Sequence, residues 1–344
     1  MAALDSAIYS QQQFGVAIVK EAAPGTKVEA GMQRLNVTGL VGMSQSLVQV
    51  IEPRSGESRV QDKKHIFVCD KGSGDITVQV PIVMDTTVAG MLHENVMGAA
   101  AATIDTATNV IALAYNYSPA AYPTLTGTFT DNLHTFTVAL ISPETSGDGE
   151  TIYLVGCVVS ELSVSMDSGT ECGRRHGTVT FTTRFRPLVA DSAPSTPTDY
   201  GTTFRYLRDL QELQTVAGDS VVCNKLEYTI SNPPITAGND SDGYPEIITR
   251  GIPKVTATGV ISVKYDLNTA ELWESRAAGT TIAIVFSNYS SWAHVSNTFG
   301  LRCEQALIVG DVNPSAGDSG VFQDLNVEFM ADVDSTKHVL EIIV

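Results

Sequence analysis

Gly317-Asp318-Ser319-Gly320 is the stretch whose residue types come closest to a reactive site. A serine held in a Gly-Asp-Ser-Gly turn beside backbone amides is how trypsin-like serine proteases present their nucleophile. Its surroundings argue against that chemistry. Val321-Phe322 stand where the further glycine and proline would follow, and none of His65, His93, His134, His176, His294 and His338 has the setting of a general base. Asp, Ser and Gly are equally ordinary turn residues, so a hairpin turn is expected here. Cys172 and His176 are spaced so that two metal ligands could meet, but a zinc site needs three or four and nothing near them supplies the rest. No glycine-rich loop between a strand and a helix suggests a phosphate cradle, and no paired carboxylates stand apart from the general acidity. The residues predict no catalytic, cofactor or metal site.

Charge and thiols carry the remaining chemistry. With 21 Lys+Arg against 38 Asp+Glu the formal net charge is −17, which opposes a tight grip on a phosphate backbone. Such acidity serves solubility, or repels a polyanion passing close by. Cys69, Cys157, Cys172, Cys223 and Cys303 form no Cys-x-x-Cys pair, and their odd number predicts reduced, buried thiols. Met-Ala-Ala-Leu-Asp at the start lacks a basic region followed by an apolar one, and no run reaches bilayer length. The expectation is a protein made and used in cytoplasm, with no membrane partner.

The elements that must position these residues are mostly strands. A length of 344 residues suits two domains of about 150 residues each, and 28 glycines with abundant Thr, Ser and Val predict a strand-dominated fold rich in turns. Ile76, Val78, Val80 and Ile82 alternate as a half-buried strand, after which Asp85-Thr86-Thr87, Val88, Met91, Leu92 and Gly98 read as cap, short helix and stop. Ile261 and Val263 repeat that strand, and Asp266-Leu267-Asn268, Leu272-Trp273 and Gly279 repeat the helix, with a capping box expected from Asn268 and Glu271. Asp85, Ala89 and Gly98 fall on the identical Asp266, Ala270 and Gly279, although Val78 falls on Gly259. Farther along, Phe136, Val138 and Leu140 match Ile282, Ile284 and Phe286, and Cys157 matches Cys303. The spacing between matched residues changes once, which isolates an insertion over 99–133 in the first copy. Closing hairpins also correspond, from Leu162 to Phe185 and from Leu307 through Gly317 to Phe329.

Pro187 to Tyr200 carries three prolines among small polar residues and reads as an extended linker. Phe204, Leu207, Leu210 and Leu213 recur every three residues up to Gly218, predicting a short amphipathic connector helix. The expected layout is an N-terminal arm over 1–30, a first domain over 31–187, linker and connector helix over 188–217, and a second domain over 218–344. Two long segments follow equivalent strands: Glu52 to Lys64, with Arg54, Glu57, Arg59, Asp62, Lys63 and Lys64, and Ser231 to Arg250, with Asp240 and Asp242. Loops of that length are commonly functional, and these read as arms that order against a neighbouring subunit.

This pattern resembles the tail tube, or major tail, proteins of long-tailed bacteriophages, in the version with two tube domains in one polypeptide. The residues that carry the resemblance are Leu47 to Ile51, Ile76 to Ile82 and the helix around Met91, with Leu226 to Ile230, Val260 to Val263 and the helix around Trp273 in the second copy. Val158 to Val164 is similar to the strand that lies late in the first tube domain. The insertion over 99–133 departs from the family pattern. The resemblance implies a mainly β fold of two tandem sandwich or barrel domains, each flanked by one short α-helix. It implies homotrimeric, pseudo-hexameric rings that stack through the arms, partners such as the tail tape measure protein, and a lumen through which DNA passes without specific binding. The implied location is the virion tail, assembled in host cytoplasm. Another viral β-protein, a capsid decoration or receptor-binding module, is the competing expectation.

Overall fold

In the computed structural model the described residues are 15–45, 48–51, 66–69, 75–97, 110–113, 135–141, 151–185, 187–190, 194, 197–237, 246–250, 256–266, 269, 271–290, 292, 299–310, 314–317, 320–330 and 340–343. Their order begins β1 (Gly15–Lys20), β2 (Gln33–Arg34), β3 (Asn36–Val37), β4 (Gly42–Gln45), β5 (Val48–Ile51), β6 (Ile66–Cys69) and β7 (Ile76–Val83). Then come α1 (Thr86–Met97), β8 (Val110–Leu113), β9 (Phe136–Ile141), β10 (Thr151–Asp167), β11 (His176–Thr183) and β12 (Leu188–Ala190). β13 (Leu213–Val216), β14 (Asp219–Ser220), β15 (Cys223–Ser231), β16 (Pro234–Ala237), β17 (Glu246–Arg250) and β18 (Thr256–Lys264) follow. The chain continues through α2 (Leu272–Ala278), β19 (Ile282–Ser287), β20 (Gly300–Ile308), β21 (Pro314–Gly317), β22 (Gly320–Phe329) and β23 (Leu340–Ile343). The fold is mainly β with little helix.

Alternating sequence produces these strands because successive side chains on a strand face opposite ways. On β7, Ile76, Val78, Val80 and Ile82 are buried while Thr77, Gln79 and Pro81 look outward. On β10, Leu162, Val164 and Met166 are buried between Glu161, Ser163, Ser165 and Asp167. Each buried Val, Leu or Ile contributes roughly 1.5–3 kcal/mol, and one core joins both halves of the chain, running from Val16 through Leu226 to Ile342.

The pairing order repeats along the chain, all of it antiparallel. β1 lies on β9, β9 on β10, β10 on β11, and β11 on β7; β13 lies on β19, β19 on β20, β20 on β22, and β22 on β18. β4 borders β7, and β15 borders β18. One further ladder joins the two sets: Glu161 to Asp167 of β10 pair with Ser231 to Lys225 of β15. Gly259 stands opposite the pattern of Val78 for a steric reason. A Cβ there would come within 2.9 Å of the Phe329 ring and of the Glu227 carbonyl, so Phe329 takes the volume a side chain would need.

An aspartate caps α1, and a reciprocal Asp–Thr pair precedes α2. The Asp85 carboxylate accepts the N–H of Thr87 and of Val88 at 2.8 and 3.0 Å, satisfying donors that a first helical turn leaves free. Asp266 and Thr269 bond reciprocally, Thr269 Oγ1 accepting Asp266 N at 2.9 Å and Asp266 Oδ1 accepting Thr269 N at 3.3 Å. Glu271 stands at the N-terminal boundary of α2 without a side-chain cap bond, and Asn268 of the expected capping box lies outside the described residues, as does Gly98. Gly279 closes α2 in the left-handed conformation, φ +65°, its N–H returned to Arg276 O.

Several expectations are corrected. The connector helix over Phe204 to Leu213 is a single 3-10 turn, Leu207–Leu210, followed by strand β13. A three-residue repeat matches the 3.0 residues per turn of a 3-10 helix better than the 3.6 of an α-helix. The linker reading fails at Leu188–Ala190, which pairs with Tyr153 to Thr151 of β10 once Pro187 is passed. The N-terminal arm is not separate from Gly15 onward, since β1 pairs residue by residue with β9. Glu21 pins the chain there: its buried carboxylate accepts Thr135 Oγ1 at 2.7 Å, Thr137 Oγ1 at 2.8 Å, and Gly25 N and Gly156 N at 2.9 Å. The insertion supplies β8, which pairs with β23 and through it reaches β20.

Candidate assembly surfaces

The residues singled out for reaction chemistry do not converge. Gly317 and Gly320 pair across β21 and β22, with Asp318 and Ser319 outside the described residues. Cys172 sits at φ +60° in a 3-10 turn, and His176 Nε2 is 3.3 Å from Glu171 Oε2. Among the described residues no group of three or more His, Cys, Asp or Glu could hold a metal, and no helix is long and apolar enough to cross a membrane. Cys157, Cys223 and Cys303 are free and buried as expected, but Cys172 is exposed, because the turn that carries it projects from the end of β10. Burial pushes the Cys157 thiol well up, and the Cys223 thiol up to about 12.

Arg54, Glu57, Arg59, Asp62, Lys63, Lys64, Asp240 and Asp242 lie outside the described residues. What flanks them is defined. β5 and β6 pair from Val48 with Cys69 to Ile51 with Ile66, and β16 and β17 pair from Pro234 with Arg250 to Ala237 with Glu246. Each segment therefore leaves and rejoins the fold through its own two-stranded ladder.

The β10–β15 ladder is the seam between the two sets of strands. Its outer face is polar: Ser163 Oγ and Thr229 Oγ1 are 2.8 Å apart, Ser165 Oγ donates to Glu227 Oε1 at 2.9 Å, and Lys225 Nζ is 2.9 Å from Glu227 Oε2. That face continues across β18 and β22 with exposed Thr258, Asp324, Asn326 and Glu328, and across β10 with Glu161 and Asp167. Carboxylates outnumber Lys225 and Lys264 on it. Long-range repulsion of a phosphate chain follows from that balance.

The inner face of the seam holds a buried polar cluster built by α1. Ala89 O accepts from His93 Nδ1 at 2.7 Å, which leaves Nε2 to accept the Tyr228 hydroxyl at 2.8 Å. Asn232 Nδ2 donates to Val96 O at 2.7 Å, and Val159 N to Asn95 Oδ1 at 2.8 Å. The helix of the first set is thereby bonded to the first strand of the seam's far side. Burial, and secondarily the Arg175 charge, pull the His93 pKa down to about 3, so the imidazole is neutral. Arg175 is fully buried; its Nη2 donates to Asp85 O at 3.3 Å, and its guanidinium lies 5.3 Å from the Phe299 ring, which Arg205 also approaches at 5.6 Å. Burial foremost lowers its pKa to about 10, leaving it charged at neutral pH.

Two surfaces thus stand out: a seam that joins the two sets of strands edge to edge, and an acidic sheet face. Sequence reasoning located the strands of both but missed the cluster beneath the seam, because His93 and Tyr228 are 135 residues apart. Comparison with curated proteins finds no match. The family model described as phage tail tube protein matches residues 12–331, nearly the whole chain.

Proposed function

Since the chain belongs to the phage tail tube protein family, and is by that membership a structural, non-catalytic component of the virion tail, we propose that it builds the tube from rings of two-domain subunits. Three chains would supply six like domains to each ring, and rings would stack into a hollow conduit for DNA. The observation that carries this reading is the β10–β15 ladder. It joins two sets of strands that share one pairing order, which supports a duplicated tube domain. Within one chain the ladder satisfies an edge of each domain. β4 remains at one end of the array and the far end of β20 at the other, and the same kind of ladder between chains would close the ring and leave no edge exposed.

In such a ring the continuous sheet becomes the inner wall. Glu161, Asp167, Glu227, Asp324 and Glu328 then face the channel and keep DNA sliding by repulsion. Electron microscopy of the purified protein tests the reading: stacked rings are expected, with density placing the Glu227 face at the lumen. Monomers under all assembly conditions, or a lumen lined by another surface, would overturn it. Assembly in host cytoplasm beside the tape measure protein belongs to the same proposal.

For the arms, deleting residues 54–63 is expected to leave folded subunits that form single rings and do not stack. Sedimentation would show discrete ring-sized particles in place of tubes. Tubes of normal length from that variant would remove the stacking role.

A further inference from the structure

The connector that precedes β13 crosses one end of the first set of strands. Its backbone bonds run from Thr86 N to Thr203 O at 3.2 Å and from Arg175 N to Arg205 O at 2.9 Å, and Gly201 N donates to the Asp85 carboxylate at 3.1 Å. Leu207 packs against Gly173 and is 3% exposed. Beneath the connector Met84 N bonds Arg175 O at 3.1 Å, and both residues are fully buried.

The second set of strands has the same end, and among the described residues no connector lies over it. Tyr265 N bonds Val321 O at 2.8 Å, as Met84 N does Arg175 O, and Lys264 N bonds Val222 O at 2.8 Å beside it. Val222, Tyr265 and Val321 are 56%, 40% and 39% exposed, an apolar patch, whereas Met84 and Arg175 at the matching end of the first set are buried. Burial against a partner is the ordinary role of such a patch.

Strand pairing identifies the segment that corresponds to the connector. β13 pairs with β19 through Val216 and Ile284, as β1 pairs with β9 through Ile18 and Val138. What the connector is to β13, residues 1–14 are to β1. Counting back equally from Val216 and Ile18, Ile8 and Tyr9 hold the places of Tyr206 and Leu207. The composition fits the change of surface: where the connector brings Arg205 to Arg175, residues 1–14 bring Leu4, Ile8, Tyr9 and Phe14 with Asp5 as their single charged side chain. The connector covers the domain preceding the one it enters. In the ring proposed above, the domain that precedes the first set of one chain is the second set of the adjacent chain.

We infer that residues 1–14 of one subunit lie across the Val222, Tyr265 and Val321 patch of the adjacent subunit in the ring, fastening neighbouring chains as the connector fastens the two halves of one chain. This rests on the ring reading given above. Its test uses two full-length chains in a Cys172→Ser background, one carrying Ile8→Cys and the other Tyr265→Cys, mixed, assembled into tubes and oxidised. A disulfide-linked heterodimer is expected, and exchange of Tyr265→Cys for Val321→Cys should also give one. Truncation of residues 2–12, with monomer folding checked by circular dichroism, should raise the protein concentration required for assembly about tenfold. Tubes that form normally while positions 4–9 give no link to the neighbour overturn the inference and leave the ring reading intact. A link confined within one chain overturns it likewise. If no rings form from the parent protein, both fall together.

Discussion

A proline at Met43 or Ser44 is expected to yield a folded monomer that closes no ring. Both lie on β4, which pairs with β7 through Met43 with Val78 and Ser44 with Thr77. Neighbouring residues of a strand point their N–H groups to opposite sides. One of the two substitutions therefore removes a donor facing β7, and the other removes the donor facing away, the one a neighbouring chain would use. Proline lacks the N–H and adds a ring where a partner strand must approach, so the outward-facing variant blocks edge pairing at little cost to the subunit itself. The inward variant loses a ladder bond, worth about 0.5–1.5 kcal/mol. The diagnostic result is a variant whose melting temperature matches the parent within a few degrees while its elution and micrographs show monomers alone. Tubes from both variants would mean that β4 is not the edge through which subunits meet.

How far this architecture could be read from sequence depended on whether the signal was local. β7 with α1 was legible because alternation, an aspartate cap and an apolar helix occur within about twenty residues of chain, and α2 through its repeat of that order and its glycine stop at Gly279. The same local reading misjudged Phe204 to Leu213, where a spacing of three fits a 3-10 turn and the final leucine belongs to β13. It also discounted Leu188–Ala190, because prolines nearby mark linkers, yet a proline just before a strand removes no ladder bond. The pairing of β8 from the insertion with β23 near the other end of the chain had no sequence signal at all. Nor did the cluster of His93, Arg175 and Tyr228, whose members meet only after β10 and β15 have paired. The acidic composition suggested repulsion of a polyanion, but which carboxylates share a face became visible only from the register of β10, β15, β18 and β22.

That cluster makes the seam sensitive to acid, with a sign fixed by the histidine. His93 normally titrates near 6.5, and in the fold it stays neutral down to about 3. Between those values the unfolded chain binds a proton at this site and the folded chain does not, so stability falls as pH drops through the window. Above 6.5 the contribution is fully present, and below about 3 this residue costs nothing further. Within the window the loss approaches about 1.4 kcal/mol per pH unit, which is large against the 5–15 kcal/mol typical of a folded domain. A protonated ring would also have to surrender the Tyr228 hydroxyl as a donor to Nε2 and place a second charge beside Arg175. Replacing His93 with glutamine keeps a polar group in the site and removes the titration. Denaturant midpoints measured from pH 7 to pH 4 should fall more steeply for the parent than for His93→Gln, while contributions from carboxylates and other histidines cancel between the two. At pH 7 the variant should be the less stable protein, and the curves should converge as pH falls. Parallel curves across that range would show that protonation of His93 is not what loosens the seam.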